Sequence, residues 1–175
     1  MGFRSSSFPD RIPLLRGAEM NIFVLSRDVT EAARLHLDKH VVKMPLETAQ
    51  MLSTISGGPY RPTHAKHPCT VWAAASTGNY SWLVQLGIAL SEEYTFRYGR
   101  VHKCQAVIEQ LQQPPIVVPA GPMTPFAQAM PEECKAADAV LAYQTYYREH
   151  KSHLGAWKGR ERPTFMPMPT QGEAA

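Results

Sequence analysis

Leu35-His-Leu-Asp-Lys-His-Val-Val-Lys-Met-Pro-Leu-Glu47 decides the fold, because its apolar residues recur every three to four positions, the period of a helix. Leu35, Leu37, Val41, Val42, Met44 and Leu46, followed by Met51, Leu52 and Ile55, supply the surface that such a helix buries. His36, Lys39, His40, Lys43 and Glu47 fall on the same spacing, so imidazoles, amines and a carboxylate share one face. A helix that needs only solubility carries any mixture of Lys and Glu. This one gathers basic groups, and Thr63-His64-Ala65-Lys66-His67-Pro68 comes shortly after it. The cluster is a candidate site, and it favours an anionic ligand.

Outward from that stretch, Asp28-Val-Thr-Glu31 forms a capping box: the Asp28 carboxylate accepts from the amide three residues on, and Glu31 reaches back. One helix is therefore predicted from Asp28 to Ile55, kinked where Pro45 removes a backbone donor and ended by Gly57-Gly58-Pro59. Upstream, Asn21-Ile-Phe-Val-Leu25 has strand-forming residues but no partner strand later in the chain, and is read as a buried extended segment. Downstream, Cys69 to Ser76 makes two helical turns. Tyr80 to about Gln112 is helical, divided at Gly99, with Trp82, Leu83, Leu86, Leu90 and Tyr94 inward. A proline-rich loop from Pro114-Pro115 to Pro131 leads to a last helix from Asp138 to about His153, with Val140, Leu141, Tyr143 and Tyr147 inward. Alternating strand and helix units are absent. The expected fold class is mainly α, a compact single-domain helical bundle with long Pro-rich loops.

A chain of 175 residues, 44% hydrophobic and 19% charged, is long enough for one domain with a real core. The expected division is a flexible extension over 1–19, a single helical domain over 20–166 and a disordered tail over 167–175. No apolar run approaches the roughly 20 residues that span a bilayer, so no membrane partner is expected. Cys69, Cys104 and Cys134 form no Cys-x-x-Cys pair and no disulfide framework, which points to a reducing, cytoplasmic setting. The formal charge of +3 permits a polyanionic partner without requiring one.

Three chemistries compete for the polar residues. His36 and His40, with His64 and His67, have a spacing that permits zinc. Lys39 and Lys43 on the same face repel a cation, and no Glu completes a His-Glu-x-x-His motif, so no metal or other cofactor is expected. Nucleic-acid binding fits better: His36, Lys39, Arg61, His64, Lys66, His67, Arg97 and Arg100 are the candidate contacts, although Glu93 and Arg97 also make an ordinary i,i+4 pair. Lys43 lies between Val42 and Met44 and one turn from His40 and Glu47. An amine among cations and apolar groups has its neutral form favoured, as a Schiff-base nucleophile requires, with Asp38 or Glu47 as acid and base. The candidate catalytic set is Lys43, Glu47, Asp38 and His40.

The order of features over residues 20–166 resembles the phage-type pyrimidine-dimer DNA glycosylases of the endonuclease V kind. It is carried by His36-Leu37, Met44-Pro45, His67-Pro68, the stretch from Tyr80 to Arg100, Met130-Pro131-Glu132-Glu133 and Arg162-Pro163-Thr164-Phe165. The resemblance implies a small all-α enzyme that binds duplex DNA, displaces a damaged base with an amine through an imine, and cleaves the strand at the abasic sugar. It also implies a nucleotide outside the normal stack. The family's amine is the α-amino group of the mature N-terminus, whereas here 19 residues precede Met20. Its glutamate is expected near the position before Met44-Pro45, where this chain has Lys43. The sequence is thus read as a base-excision type DNA glycosylase or abasic-site lyase. The alternatives are a non-catalytic nucleic-acid-binding protein and an enzyme acting on a small phosphorylated nucleotide or metabolite.

Overall fold

The computed structural model describes residues 20–169, so the proposed extension over 1–19 and residues 170–175 of the proposed tail lie outside the described residues. Among the described residues there are six α-helices, joined by loops and short 3-10 and π turns, and no strand. The mainly α, compact architecture expected from the sequence is the one observed.

The predicted first helix is two helices, α1 (Val29–Leu35) and α2 (Asp38–Ser56). Asp28 caps α1, its carboxylate accepting from the Glu31 amide at 2.7 Å. Glu31 does not reach back to the Asp28 amide directly. It accepts from the Ser26 hydroxyl, whose oxygen accepts from the Asp28 N–H at 3.2 Å. The chain then breaks at His36 and Leu37, both with extended backbone. The reason is tertiary. Arg97 donates to the Arg34 and His36 carbonyls at 3.0 and 2.9 Å, and Trp157 Nε1 donates to the Leu35 carbonyl at 2.9 Å. The Asp38 amide meanwhile donates to the Ala156 carbonyl at 2.8 Å. These partners replace the helical ladder, so interrupting it leaves those groups bonded. Pro45 lies inside α2 without ending it, and Gly57 ends it in the left-handed conformation at φ +71.

Helix α3 (Pro68–Ala74) is capped by His67, whose Nδ1 accepts from the Cys69 amide at 3.1 Å. Helix α4 (Thr77–Tyr98) starts at the Ser76 cap and ends at Gly99, the division expected, before α5 (Gln105–Gln110). The proline-rich loop is tied to the start of α4 by Asn79, which donates to Thr124 Oγ1 and accepts from the Thr124 amide. The last predicted helix is α6 (Ala139–Tyr146), which changes pitch through a π turn (Tyr147–Lys151) and a 3-10 turn (Ser152–Leu154) instead of running on as α-helix.

Helix α4 forms the centre of the core, with Tyr80, Leu83, Leu86 and Leu90 buried against Val41, Met44 and Leu52 of α2. Gly87 permits the close crossing: a Cβ there would stand 2.5 Å from Thr48 Cγ2. Residues 21–25 are buried, as expected. Phe23 stacks on His40 with ring centroids 4.3 Å apart, and Gln144 donates to the Leu25 carbonyl, so the segment threads between α2 and α6. Two inward assignments on α2 and one on α6 are corrected: Val42, Leu46 and Leu141 are exposed. Their neighbours Val41, Met44 and Ala142 take the core positions.

Candidate active site

Glu47 is the buried carboxylate of α2, only 3% exposed. Its Oε2 accepts the backbone N–H of Asn21 at 3.1 Å. The Asn21 side chain fixes that amide in place. Its Oδ1 accepts from the Ile22 and Phe23 amides at 2.8 and 3.1 Å, and its Nδ2 donates to the Ala129 carbonyl at 2.9 Å. One turn back on α2, Lys43 Nζ lies 2.8 Å from Glu47 Oε1, an ion pair that leaves this oxygen without an aligned hydrogen bond. Burial pushes the Glu47 carboxyl above its ordinary pKa, against the opposing pull of Lys43, the Asn21 amide and His64.

Glu93, the other buried carboxylate, is treated differently. Arg97 Nε donates to its Oε1 at 2.7 Å, and Arg160 donates to both oxygens, Nε to Oε1 and Nη2 to Oε2. Burial alone would raise this carboxyl, but Arg160 and Arg97 together hold it below the ordinary value. The two buried carboxylates are thus shifted in opposite directions, Glu93 down by its guanidinium partners and Glu47 up by burial.

The other expected site residues are dispersed. His36 is fully buried, its Nδ1–H donating to the Ala32 carbonyl at 2.6 Å, and burial lowers its pKa to about 4. His40 shares a 2.6 Å hydrogen bond with the Tyr147 hydroxyl beneath Phe23; burial, then the charges of His36, Lys151 and Lys43, lower its pKa to about 2. Both imidazoles are neutral core groups, and neither faces a ligand. Arg97 is 4% exposed and engaged with Glu93, Asp38 and two carbonyls, so it is not a phosphate contact. Asp38 accepts from Arg97 at 2.9 Å and from the Lys158 amide, so its carboxylate is committed to structural partners at the start of α2. His67 is a helix cap.

Lys39, Arg61, His64, Lys66 and Arg100 are exposed. His64 lies in the left-handed region at φ +51, its Nδ1 hydrogen-bonded to Thr63 Oγ1 at 2.7 Å, and its charge is felt at Glu47. Among the described residues, no group of three or more His, Cys, Asp or Glu is placed to hold a metal ion. No helix of the described residues is long and apolar enough to cross a membrane.

A groove of about 1130 Å³ runs between α2, the 60–63 segment and the 100–104 turn, with Tyr94 of α4 in its wall; Lys43 and Glu47 are not among its lining residues. Val42, Leu46 and Gln50 form the α2 side, the ridge next to Lys43 and Glu47. Sequence reasoning singled out neither Asn21 nor this groove. An Asn preceding an apolar run is a local signal for the Asx turn that presents the amide. Nothing local announces that Val42 and Leu46 stay uncovered. Comparison of the chain with family models, with curated proteins and with solved structures finds no match.

Proposed function

We propose that this protein is a DNA-acting enzyme of base-excision type, an abasic-site lyase or glycosylase, in which Lys43 is the amine and Glu47 its proton partner. The observation that carries the reading is the 2.8 Å approach of the Lys43 ammonium to a buried carboxylate of raised pKa. Glu47 takes a proton from Lys43, and the neutral amine adds to the C1′ aldehyde of an abasic deoxyribose. The resulting carbinolamine loses its hydroxyl as water, with Glu47 returning the proton, and an imine remains. The imine then acidifies the 2′ hydrogen; the Glu47 carboxylate takes that proton, the C2′–C3′ double bond forms and the 3′ phosphate leaves. A carboxyl group whose pKa is raised by burial is a better proton acceptor than an ordinary carboxylate and can return the proton in the second transfer.

One specific contact favours a second source of the amine. The nitrogen of residue 21 lies 3.1 Å from Glu47. In the full chain it is an amide and not nucleophilic. In a chain beginning at Asn21 the same nitrogen would be an α-amine, with an ordinary pKa of about 7.7–8.0 and a substantial neutral fraction. That would reproduce the N-terminal amine of the family which the sequence resembles.

Borohydride trapping on abasic-site duplex DNA, followed by peptide mapping of the adduct, tests both. The full chain is expected to yield an adduct on Lys43 that Lys43→Ala abolishes and Glu47→Gln slows by about 100-fold or more. An adduct that survives Lys43→Ala unchanged overturns the Lys43 assignment. An adduct formed only by a chain starting at Asn21 assigns the α-amine. Salt-sensitive DNA binding with no adduct from either chain leaves a non-catalytic nucleic-acid-binding protein.

A further inference from the structure

We propose that the groove beside α2 is a binding site for single-stranded DNA, which it lays past Lys43 and Glu47. The inference rests on the DNA-directed reading of that pair and adds the form in which the nucleic acid is held. Two classes of side chain line the groove. Arg61, Arg100 and Lys103 are exposed cations, and no Asp or Glu is among the lining residues. Between them lie apolar side chains that no part of the described chain covers: Val42 is 45% exposed, Leu46 36% and Val101 68%. Cations without carboxylates select a polyanion. Uncovered apolar surface selects a polyanion that also has flat, unpaired apolar faces to offer.

Duplex DNA presents phosphates and groove edges but keeps its base faces stacked inside, so it would leave Val42, Leu46 and Val101 in water. A single strand offers both parts, with phosphates for the guanidinium and ammonium groups and base faces for the apolar ridge of Val42, Leu46 and Val101. Lys43 lies outside the lining, three residues before Leu46 on α2 and so its neighbour on the helix surface, which puts the amine at the edge of a strand lying on the ridge.

Fluorescence anisotropy on the full chain, with a labelled single strand of about ten nucleotides, the matching duplex and thymidine monophosphate as competitor, tests this. The single strand is expected to bind at least about tenfold more tightly than the duplex, with the mononucleotide a weak competitor. With three phosphate contacts, raising salt from about 50 to 200 mM weakens single-strand binding about twentyfold; with Arg61→Ala and Lys103→Ala together the loss falls to about threefold. Val101→Glu, which puts a carboxylate at an exposed wall position, is expected to weaken the strand at least tenfold while the thermal midpoint stays at the wild-type value.

Equal or tighter binding of the duplex, unaffected by these variants, overturns the proposal. So does mononucleotide affinity equal to that of the strand. The two readings fail separately. Strand binding that depends on the groove, without any borohydride adduct, keeps the groove and removes the catalysis. Adduct formation on a single-stranded abasic oligonucleotide that is indifferent to Val101→Glu keeps the catalysis and removes the groove.

Discussion

Replacing Arg97 with lysine should cost about 2–3 kcal/mol of folding stability, although the charge is conserved. The Arg97 guanidinium is fully buried, with its nitrogens directed at Glu93 (Nε, 2.7 Å), at Asp38 and the His36 carbonyl (Nη1, both 2.9 Å) and at the Arg34 carbonyl (Nη2, 3.0 Å). Removing one partner of a buried pair costs about 3–5 kcal/mol, and each orphaned carbonyl adds about 1–3 more. Arg97→Ala thus forfeits an amount comparable to the whole stability of a domain, about 5–15 kcal/mol, and is a poor probe because it risks not folding. Lysine keeps one ammonium for Glu93 or Asp38 and cannot fork to the carbonyls that close the break between α1 and α2. Urea denaturation followed by circular dichroism gives the difference at fixed slope, and the thermal midpoint should fall by about 5–10 °C. If Arg97 were a phosphate contact, lysine would leave stability within about 0.5 kcal/mol and alter only DNA affinity. An unchanged urea midpoint therefore refutes the structural role of Arg97 and its part in holding the break between the helices.

The buried imidazoles set an acid limit. The unfolded chain protonates both near 6.5 and the folded chain only near about 4 at His36 and about 2 at His40, so stability falls as the pH drops below 6.5. The loss is about 4 kcal/mol by about pH 5, offset in part by Glu47, whose raised pKa acts in the opposite sense. His40→Gln should flatten that slope by about half in thermal melts between about pH 5 and 7, and an unaltered slope would contradict the assignment of His40 as a neutral core group. At the crossing of α2 and α4, Gly87→Ala forces its Cβ against Thr48 Cγ2 and should cost about 1–3 kcal/mol; Thr48→Ser, which lacks that methyl, should recover part of it in a double-mutant cycle by denaturation.

Local signals were legible wherever one residue decides the outcome. Asp28, Gly57 and Gly99 punctuate the helices where their chemistry says they should, and the spacing of Leu83, Leu86 and Leu90 marks the inner face of α4. What escaped depends on partners far along the chain. The periodicity around His36 is continuous with that of α2, and the break there exists because Arg97, Trp157 and Ala156 arrive from elsewhere to take the freed backbone groups. The same contacts explain the scattering of the polar stripe. Sequence spacing placed His36, His40 and Asp38 beside Lys43, but the break turns His36 inward, Tyr147 draws in His40, and Arg97 with the Lys158 amide claims Asp38. Only the Lys43–Glu47 pair survives as an intact i,i+4 unit, because both residues lie well inside the unbroken part of α2.

The two buried carboxylates of the fold are held in different ways. Glu93 shows how this chain stabilises a buried carboxylate when the charge serves structure: guanidinium donors occupy both oxygens, and the pKa falls. Glu47 has one backbone donor on Oε2 and a 40%-exposed lysine poorly aligned with Oε1, and its pKa rises. A glutamine at 47 would still accept the Asn21 N–H through its amide oxygen and would shed the cost of burying a charge. Packing therefore does not require an ionisable group there, whereas proton exchange with a neighbouring nitrogen does. A local choice that works against folding is what the proposed proton exchange at Glu47 would account for. On the proposed reading, the nitrogens within reach of Glu47, the Lys43 amine and the nitrogen of residue 21, are the atoms whose replacement tests it.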